Sequence, residues 1–256
     1  MKLSANLGLL WSGLPLLERV YKAKEKNFDA VEFQFPYEVD ANELKKAIDK
    51  INLPIIGINT IKGDVSKGDN GLNAIPSKVQ EARVAIDQAI EYAKVIGSKN
   101  IHFMCGITEQ NHNSLKTLVE NLQYAVSQLN DTNIGLVIEP KNQKDFPGYF
   151  LTNVEQAKEI CQLVGNNNVK IMFDFYHVQI SQGNVLTRFK DNFNFIGHVQ
   201  MASVPERNEP IFGELNYSNI LSEIYKFGYQ GYVGAEYNPL TNTDAVSYTH
   251  LRAHET

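Results

Sequence analysis

Residues 77–104 of this chain read SKVQEARVAIDQAIEYAKVIGSKNIHFM. Apolar residues recur at helical spacing in its first part, which predicts one amphipathic helix over Ser77–Ile96. Gly97 follows the last apolar position and predicts the end of that helix. The apolar run Asn100–Met104 then predicts a short buried strand. A helix that leads directly into a buried strand is half of the repeating unit of a parallel sheet.

The same alternation of short apolar runs and longer helical segments continues in both directions from this stretch. Eight strands separated by room for returning helices predict a single α/β domain, the (β/α)8 TIM barrel. A doubly wound sheet is disfavoured because residues 7–13 lack the glycine spacing of a dinucleotide-binding turn. The predicted strands are Leu3–Leu7, Ala30–Phe33, Ile55–Asn59, Asn100–Met104, Gly135–Glu139, Val169–Asp174, Phe195–Met201 and Gly231–Glu236, and the other clear helices are Leu14–Lys26, Glu43–Ile51 and Leu115–Leu129.

Residues at the predicted helix ends agree with this pattern. We interpret Ser77 and Thr152 as N-caps, and Gly165, like Gly97, as the residue just past a helix. The barrel domain is predicted to span residues 1–245. Residues 246–256 do not continue the pattern although an eighth helix should follow the last strand, so we interpret them as a truncated or non-native tail.

Composition limits the class of partner. With 24 basic and 29 acidic residues the formal net charge is −5, which disfavours binding to nucleic acid. The two cysteines, Cys105 and Cys161, indicate neither a disulfide framework nor a thiolate metal site. We find no secretory signal and no stretch long enough to cross a membrane, so the cytoplasm is the expected location.

Polar side chains close four consecutive strands that are otherwise apolar: Glu139, Asp174, Gln200 and Glu236. In a barrel the carboxyl ends of the strands converge on one face, so these side chains are expected to meet. Each acid alone could equally be a helix cap or an ion-pair partner, and Gln200 could simply satisfy a backbone group. Three buried carboxylates together would require a compensating cation, and oxygen ligands favour Mg²⁺ or Mn²⁺ over zinc.

The segments around these residues resemble the signature segments of the hydroxypyruvate isomerase family, which lies within the xylose isomerase-like barrels. The resemblance covers about residues 1–245 and implies that Glu139, Asp174, Gln200 and Glu236 hold the metal. It further implies that Glu139 and Glu236 act as proton donor and acceptor in the isomerisation of a small hydroxy-carbonyl acid or sugar. The matching segments are residues 138–140, 173–177, 197–200 and 234–237, with weaker similarity at 33–37, 63–64, 71–76, 210 and 213–217.

Other polar residues near these segments are candidate substrate contacts. Arg207 stands where the family has a loop arginine and could bind a substrate carboxylate, although an exposed loop arginine is an equal alternative. His177 could bind a substrate hydroxyl group or support a ligand, and Glu214 is expected to orient the loop of Arg207. The predicted substrate-binding set is His177, His198, Arg207, Asn59 and Glu214.

Three departures from the family pattern leave the substrate open. Ile58, Ile107 and Ser203 stand where the family commonly has histidine, lysine and aspartate. The alternatives are hydroxypyruvate isomerisation, 2-oxo-tetronate isomerisation, ketose 3-epimerisation and a metal-binding barrel without turnover. A zinc phosphodiesterase resembling the abasic-site endonucleases is disfavoured, because it would need a histidine cluster and a basic face. The sequence also leaves open whether the chain forms a homo-oligomer.

Overall fold

The fold is a closed barrel of eight parallel strands in chain order, with β1 paired to β8. It was obtained as a computed structural model, which describes residues 2–211 and 213–241. All eight predicted strands are confirmed, with ends that differ by at most two residues. The strands are β1 (Lys2–Asn6), β2 (Ala30–Glu32), β3 (Ile55–Asn59), β4 (Asn100–His102), β5 (Gly135–Ile138), β6 (Val169–Asp174), β7 (Ile196–Met201) and β8 (Tyr232–Ala235).

Helices connect consecutive strands and form the outer layer. The connection between β6 and β7 contains two helices, the first of which begins directly at the end of the strand. The predicted tail 246–256 lies outside the described residues. The helices are α1 (Leu16–Glu25), α2 (Ala41–Ile51), α3 (Val79–Ile96), α4 (His112–Gln128), α5 (Val154–Val164), α6 (Phe175–Ser181), α7 (Val185–Asn192) and α8 (Tyr217–Phe227).

Both predicted N-cap residues are wrong, while both predicted glycine ends are confirmed. The 3₁₀ turn Pro76–Lys78 precedes α3, so Ser77 lies within that turn rather than at the cap. Asn153, not Thr152, caps α5 by accepting a hydrogen bond from the backbone N–H of Gln156. Gly97 and Gly165 end their helices with φ of 73° and 71°, a conformation that costs glycine little.

The core lies between the barrel and its helices. The face of α3 predicted to be apolar packs inward, with Ala82, Ile86, Ala89, Ile90 and Ala93 all fully buried. Cys105 and Cys161 are buried, and neither is part of a disulfide. Among the described residues, no helix is long and apolar enough to cross a membrane. Packing of α1–α8 against the barrel therefore helps to hold the strand ends in fixed positions.

Candidate active site

Four polar side chains predicted from the strand ends meet at the carboxyl-terminal face of the barrel. Glu139 directly follows β5, Asp174 ends β6, and Glu236 directly follows β8. Gln200 lies in β7, in register with Asp174 on one side and with Gly234 on the other. The four side chains are between 1% and 7% exposed, so their charges and polar atoms are removed from water. Such burial requires compensation by other charges, hydrogen bonds or a cation.

Glu139 is surrounded by positively charged and hydrogen-bonding groups. Lys141 Nζ lies 3.2 Å from Glu139 Oε2. The Nε2 atoms of His102 and His177 each lie 3.6 Å from an oxygen of this carboxylate. Burial, followed by the charge of Lys141, lowers the pKa of His102 well below 6.5, so this ring is neutral at pH 7. The direct charge partner of Glu139 is therefore Lys141.

Arg207 links two further carboxylates. Its Nη2 atom lies 3.7 Å from Asp174 Oδ2 and 3.5 Å from Glu236 Oε1. Burial raises the pKa of Asp174 well above its ordinary value, although Arg207 opposes this shift. Burial also lowers the pKa of Arg207, but attraction to Glu236, Asp174 and Glu139 outweighs that effect and raises it. The guanidinium group thus compensates part of the negative charge that the strand ends concentrate here.

The backbone of Arg207 is held in an unusual conformation. Its φ is 56°, in the left-handed region that bulky residues rarely occupy. Hydrogen bonds from its N–H to Ser203 O (2.9 Å) and from Asn238 N–H to its carbonyl oxygen (2.8 Å) fix it there. Its guanidinium group stacks over the Tyr176 ring at 5.0 Å. The loop therefore aims this side chain at the carboxylates.

Glu236 is oriented by a residue from the second strand's loop. Gln34 Nε2 donates a 3.0 Å hydrogen bond to Glu236 Oε1. Burial raises the pKa of Glu236 to about 7, with Arg207 opposing the shift and Glu139 adding to it. A carboxyl group that titrates near neutral pH can both accept and donate a proton under physiological conditions. Glu236 is therefore a candidate for proton transfer.

Gln200 is held in place by Glu32, the last residue of β2. Gln200 Nε2 donates a 2.8 Å hydrogen bond to Glu32 Oε2. Gly234 makes room for both side chains, because a Cβ atom there would lie 2.4 Å from Glu32 Oε1 and 2.8 Å from Gln200 Cγ. Since the amide nitrogen is engaged by a carboxylate, the amide oxygen of Gln200 points the other way. Glu32 thus fixes which atom Gln200 presents to the site.

These side chains fit a divalent metal. Within residues 2–211 and 213–241, one buried oxygen of each predicted ligand lacks a hydrogen-bond partner: Glu139 Oε1, Asp174 Oδ2, Gln200 Oε1 and Glu236 Oε2. Carboxylate oxygens of Glu139 and Asp174 lie within 4.8 Å of each other. Buried polar atoms are rarely left without partners, and these are the oxygen ligands that Mg²⁺ and Mn²⁺ prefer. The donor set agrees with the predicted metal site.

The hydrogen bonds of His177 identify its tautomer. Its Nδ1 atom accepts hydrogen bonds from Asn142, at 3.3 Å from the backbone nitrogen and 2.7 Å from Nδ2. A backbone N–H can only donate, so the ring proton resides on Nε2. Burial, and next the charge of Arg207, lower the pKa of His177 well below 6.5. His177 therefore presents an N–H donor, rather than a lone pair, towards Glu139 and Asp174.

Of the three remaining predicted substrate contacts, two line the cavity and one does not. His198 and Asn59 line the same cavity as Glu139, Gln200, Arg207 and Glu236. His198 Nε2 lies 3.0 Å from Glu32 Oε1, and Asn59 Oδ1 lies 3.2 Å from His102 Nδ1. Glu214 lies outside this group, because it is exposed and its side chain contacts Gln179. Its backbone N–H donates to Val204 O in the loop before Arg207.

The cavity has a volume of about 180 Å³. This is smaller than the roughly 300–1,000 Å³ of pockets for drug-sized ligands, so it suits a small ligand. Glu32, Gln34, Lys62, His102 and Lys141 line it as well, and sequence reasoning did not identify them. Glu32 could have been predicted as a site residue, because it is a charged residue at the end of an apolar strand, as Glu139 and Asp174 are. Lys141 had only its position two residues after Glu139.

The three departures from the family pattern lie in different environments. Ile58 is fully buried in β3 and lines the cavity, so an apolar side chain occupies that part of the wall. Ser203 is buried, and its hydroxyl group accepts a 2.9 Å hydrogen bond from Asn208 N–H. Ile107 is 41% exposed. Of the three positions, Ile58 has the direct contact with the space where a ligand would bind.

Comparison with known proteins agrees with the barrel fold. A family model described as a xylose isomerase-like TIM barrel matches residues 20–253. The chain is 39% identical to a 2-oxo-tetronate isomerase of Cupriavidus necator over 95% of both proteins. It is also 39% identical to a hydroxypyruvate isomerase of Escherichia coli over 96% of both.

Solved structures include an equally extensive match. A Brucella melitensis protein described as an AP endonuclease of family 2 superposes with a TM-score of 0.92, at 37% identity and over 95% of both chains. The family model includes β2–β8, and the two curated relatives each cover at least 95% of the chain. This chain belongs to the hydroxypyruvate isomerase family of xylose isomerase-like TIM barrels.

Proposed function

We propose that this protein is a metal-dependent isomerase that moves a carbonyl group between neighbouring carbons of a small hydroxy-oxo acid. The observation that carries the proposal is the pair Glu139 and Glu236. Both are buried, both line one small cavity, and each keeps one oxygen free of hydrogen-bond partners within the described residues. Relatives named as isomerases of hydroxypyruvate and 2-oxo-tetronate support this chemistry.

The reaction needs two proton transfers at carbon and one between the two substrate oxygens, and no oxidant or reductant. For hydroxypyruvate, one glutamate removes a proton from C3, and the bonding electrons form a C2–C3 double bond while the C2 carbonyl oxygen gains negative charge. The other glutamate then delivers a proton to C2. The proton on the C3 oxygen passes to the C2 oxygen, so that C2 carries a hydroxyl group and the C3 oxygen becomes the new carbonyl. The product is tartronate semialdehyde. Two positioned carboxyl groups suit this work, and such acid–base help contributes about 10²–10⁴-fold in rate.

The proposed ligands of Mg²⁺ or Mn²⁺ are Glu139, Asp174, Gln200 and Glu236. A bound divalent ion would supply positive charge that acidifies the C–H bond and stabilises the developing oxyanion. The chain's own groups orient the substrate around it. His177 Nε2–H donates to a substrate oxygen, and the guanidinium Nε of Arg207, buried without a partner in the described residues, is a second donor.

Three other predicted contacts complete the proposed substrate site. His198 and Asn59 line the cavity wall, where their polar atoms are in reach of a small ligand. Glu214 supports the site indirectly, because its backbone hydrogen bond to Val204 O holds the loop that carries Arg207. The location expected from the sequence, the cytoplasm, would give the enzyme access to small metabolites.

The name of the Brucella structure raises a second activity, cleavage of DNA at abasic sites. Such an enzyme must attract a phosphate backbone through a basic surface. The formal net charge of −5 here is unfavourable for that attraction. A cavity of about 180 Å³ also suits a small acid better than a nucleotide within a duplex. We therefore propose the isomerase over the nuclease.

Substrate conversion tests the proposal. The purified chain, supplied with Mg²⁺ or Mn²⁺, would be incubated with hydroxypyruvate, 2-oxo-tetronate and neutral ketoses, and products would be identified by mass spectrometry after reduction. We expect at least one acid to isomerise and the reaction to stop when a chelator is added. Conversion of neutral ketoses alone, or cleavage of an abasic duplex without any acid isomerisation, would contradict the proposal.

A further inference from the structure

Two lysines line the cavity that holds the proposed proton-transfer pair, and nothing in the reaction described above uses them. Lys141 is 7% exposed and follows Glu139 by two residues. Lys62, in the loop after β3, is partly buried. The pKa of Lys62 is lowered, first by burial and second by repulsion from the charge of Lys141. The two lysines thus line one cavity, and the charge of Lys141 disfavours that of Lys62.

Among the described residues, the contact made by the Lys62 ammonium group is with an aromatic ring rather than a carboxylate. Its Nζ lies 5.1 Å from the centre of the Phe35 ring, and Phe35 is also part of the cavity wall. Lys141 has Glu139 at 3.2 Å and the ring centres of Phe146 and Tyr149 at 4.7 and 5.5 Å. Cation–π contacts hold an ammonium group in place without neutralising it. An anion placed between these lysines would relieve their repulsion.

Arg207, by contrast, is already engaged. Its guanidinium group lies between Asp174 and Glu236 and is stacked on Tyr176. A substrate carboxylate bound there would be brought close to two carboxyl groups. In a 2-oxo acid the carboxyl carbon is bonded directly to C2, where a proton is exchanged. Lys141 contacts Glu139. It is therefore placed to contact the carboxylate of a substrate whose neighbouring carbon exchanges a proton with Glu139.

We propose that Lys62 and Lys141 bind the carboxylate of the substrate and so select acids over neutral ketoses. The proposal rests on the proposed isomerase function for the identity of the acid. The acid group contacts the two ammonium groups, while the hydroxyl and carbonyl oxygens face Glu139, Glu236 and Arg207. Lys62 is the better reporter of this selection, because replacing Lys141 also removes the charge partner of Glu139.

Kinetics with matched substrates test the selection. We would compare kcat/KM for hydroxypyruvate with that for dihydroxyacetone, which replaces the carboxylate by a neutral CH2OH group. Lys62→Met should lower the value for the acid by about 10- to 100-fold, the size expected for one lost charge-assisted hydrogen bond, and should lower the value for the neutral ketose much less. Lys62→Arg should retain most of the preference. The control is Lys67→Met, since Lys67 is an exposed lysine in the same loop paired with Asp64 at 3.0 Å.

Binding of a matched pair of unreactive ligands separates this proposal from the isomerase function. Calorimetry with glycerate and its neutral amide, glyceramide, requires no turnover. The wild-type chain should prefer glycerate, and Lys62→Met and Lys141→Met should each lose that preference. Retention of the acid preference in both variants, by binding or by kinetics, overturns the proposal. If the wild type isomerises no acid yet its lysines still select glycerate, the isomerase function fails and the lysine site stands.

Discussion

Glu236 illustrates how single residues of this site depend on their surroundings. Its side chain combines a hydrogen bond from Gln34, an ion pair with Arg207 and a position just past β8. Burial raises its pKa from 4.5 to about 7, against the attraction of Arg207. The folded protein therefore holds this proton more tightly than the unfolded chain does. The consequence is a pH-dependent stability in the metal-free protein.

The metal-free protein is predicted to lose stability as the pH rises towards 7. The contribution of Glu236 is fully present below pH 4.5 and is lost as the pH passes through about 7, by at most about 1.4 kcal/mol per pH unit. Urea unfolding of the chelator-treated protein at pH 5, 6 and 7 measures this. Glu236→Gln should flatten the dependence, while Glu206→Gln, at an exposed position, should not. Parallel pH dependences for wild type and Glu236→Gln would refute the burial effect.

Glu32 is predicted to control metal binding through Gln200. Glu32→Gln removes the carboxylate that engages Gln200 Nε2, so the amide oxygen loses its fixed direction. Loss of a group that orients a ligand lowers metal affinity by about 10- to 100-fold. Calorimetric titration with Mn²⁺ checks this, with Glu43→Gln on an exposed face of α2 as the charge-matched control. Unchanged affinity in Glu32→Gln would mean that Gln200 is either not a ligand or is oriented by other groups.

The sequence identified those site residues that follow a clear strand pattern. Glu139 and Asp174 were predicted because each closes a mostly apolar strand that has at least four residues before the acid, where a charged side chain is conspicuous. Glu32 closes a strand of only three residues, so the same signal was weaker. Lys141 lies beyond its strand, in a loop whose path depends on packing against Phe146 and Tyr149. Loop geometry of this kind is set by tertiary contacts that no local pattern contains.

At the scale of secondary-structure elements, the strand number and the helix ends at glycine were predictable because they follow from local spacing and backbone preference. The N-cap residues were harder to predict from the sequence. Thr152 and Asn153 are neighbouring residues that can both cap a helix, and the structure uses Asn153. A 3₁₀ turn delays the start of α3 by two residues relative to the predicted start. Differences of one or two residues in where a helix begins depend on how that helix packs against the barrel.

The loops after β3 and β4 are held together by a close glycine contact, which makes a second stability prediction. Gly106 has φ of 99°, and a Cβ atom there would lie 2.3 Å from Gly71 O. Gly68 has a similar φ of 87° but open space around it. Gly68→Ala should cost only the strain of a left-handed alanine, about 1–2 kcal/mol. Gly106→Ala should add about 1–3 kcal/mol of overpacking, as measured by urea unfolding.

The same contact links loop structure to substrate selection. Gly71 N–H donates a 2.8 Å hydrogen bond to Lys62 O, so displacement of Gly71 by Gly106→Ala should also move Lys62. The variant should therefore lose acid preference in the glycerate and glyceramide comparison, whereas Gly68→Ala should keep it. Equal destabilisation by the two substitutions, with the preference intact in both, would contradict the proposed role of the contact.

At the scale of the whole molecule, closure of the barrel brings the active-site residues together. β1 pairs with β8, so Glu32 from β2 and Gln34 beyond it can contact Gln200 and Glu236 from the other end of the chain. The sequence predicted the barrel and the convergence of its strand ends. It could not predict these contacts, because they join side chains 168 and 202 residues apart. It also could not decide the substrate, which depends on the charges that line the finished cavity.

The most direct test of the two-glutamate mechanism follows hydrogen exchange at the substrate carbon. If one glutamate removes the proton and the other returns a different one, the product formed from hydroxypyruvate in heavy water must carry deuterium at C2, as read by mass spectrometry. Incorporation should be complete for the wild type with Mg²⁺ and should slow by about 10²–10⁴-fold in both Glu139→Gln and Glu236→Gln. Incorporation at the wild-type rate in either variant would contradict the paired role of these residues.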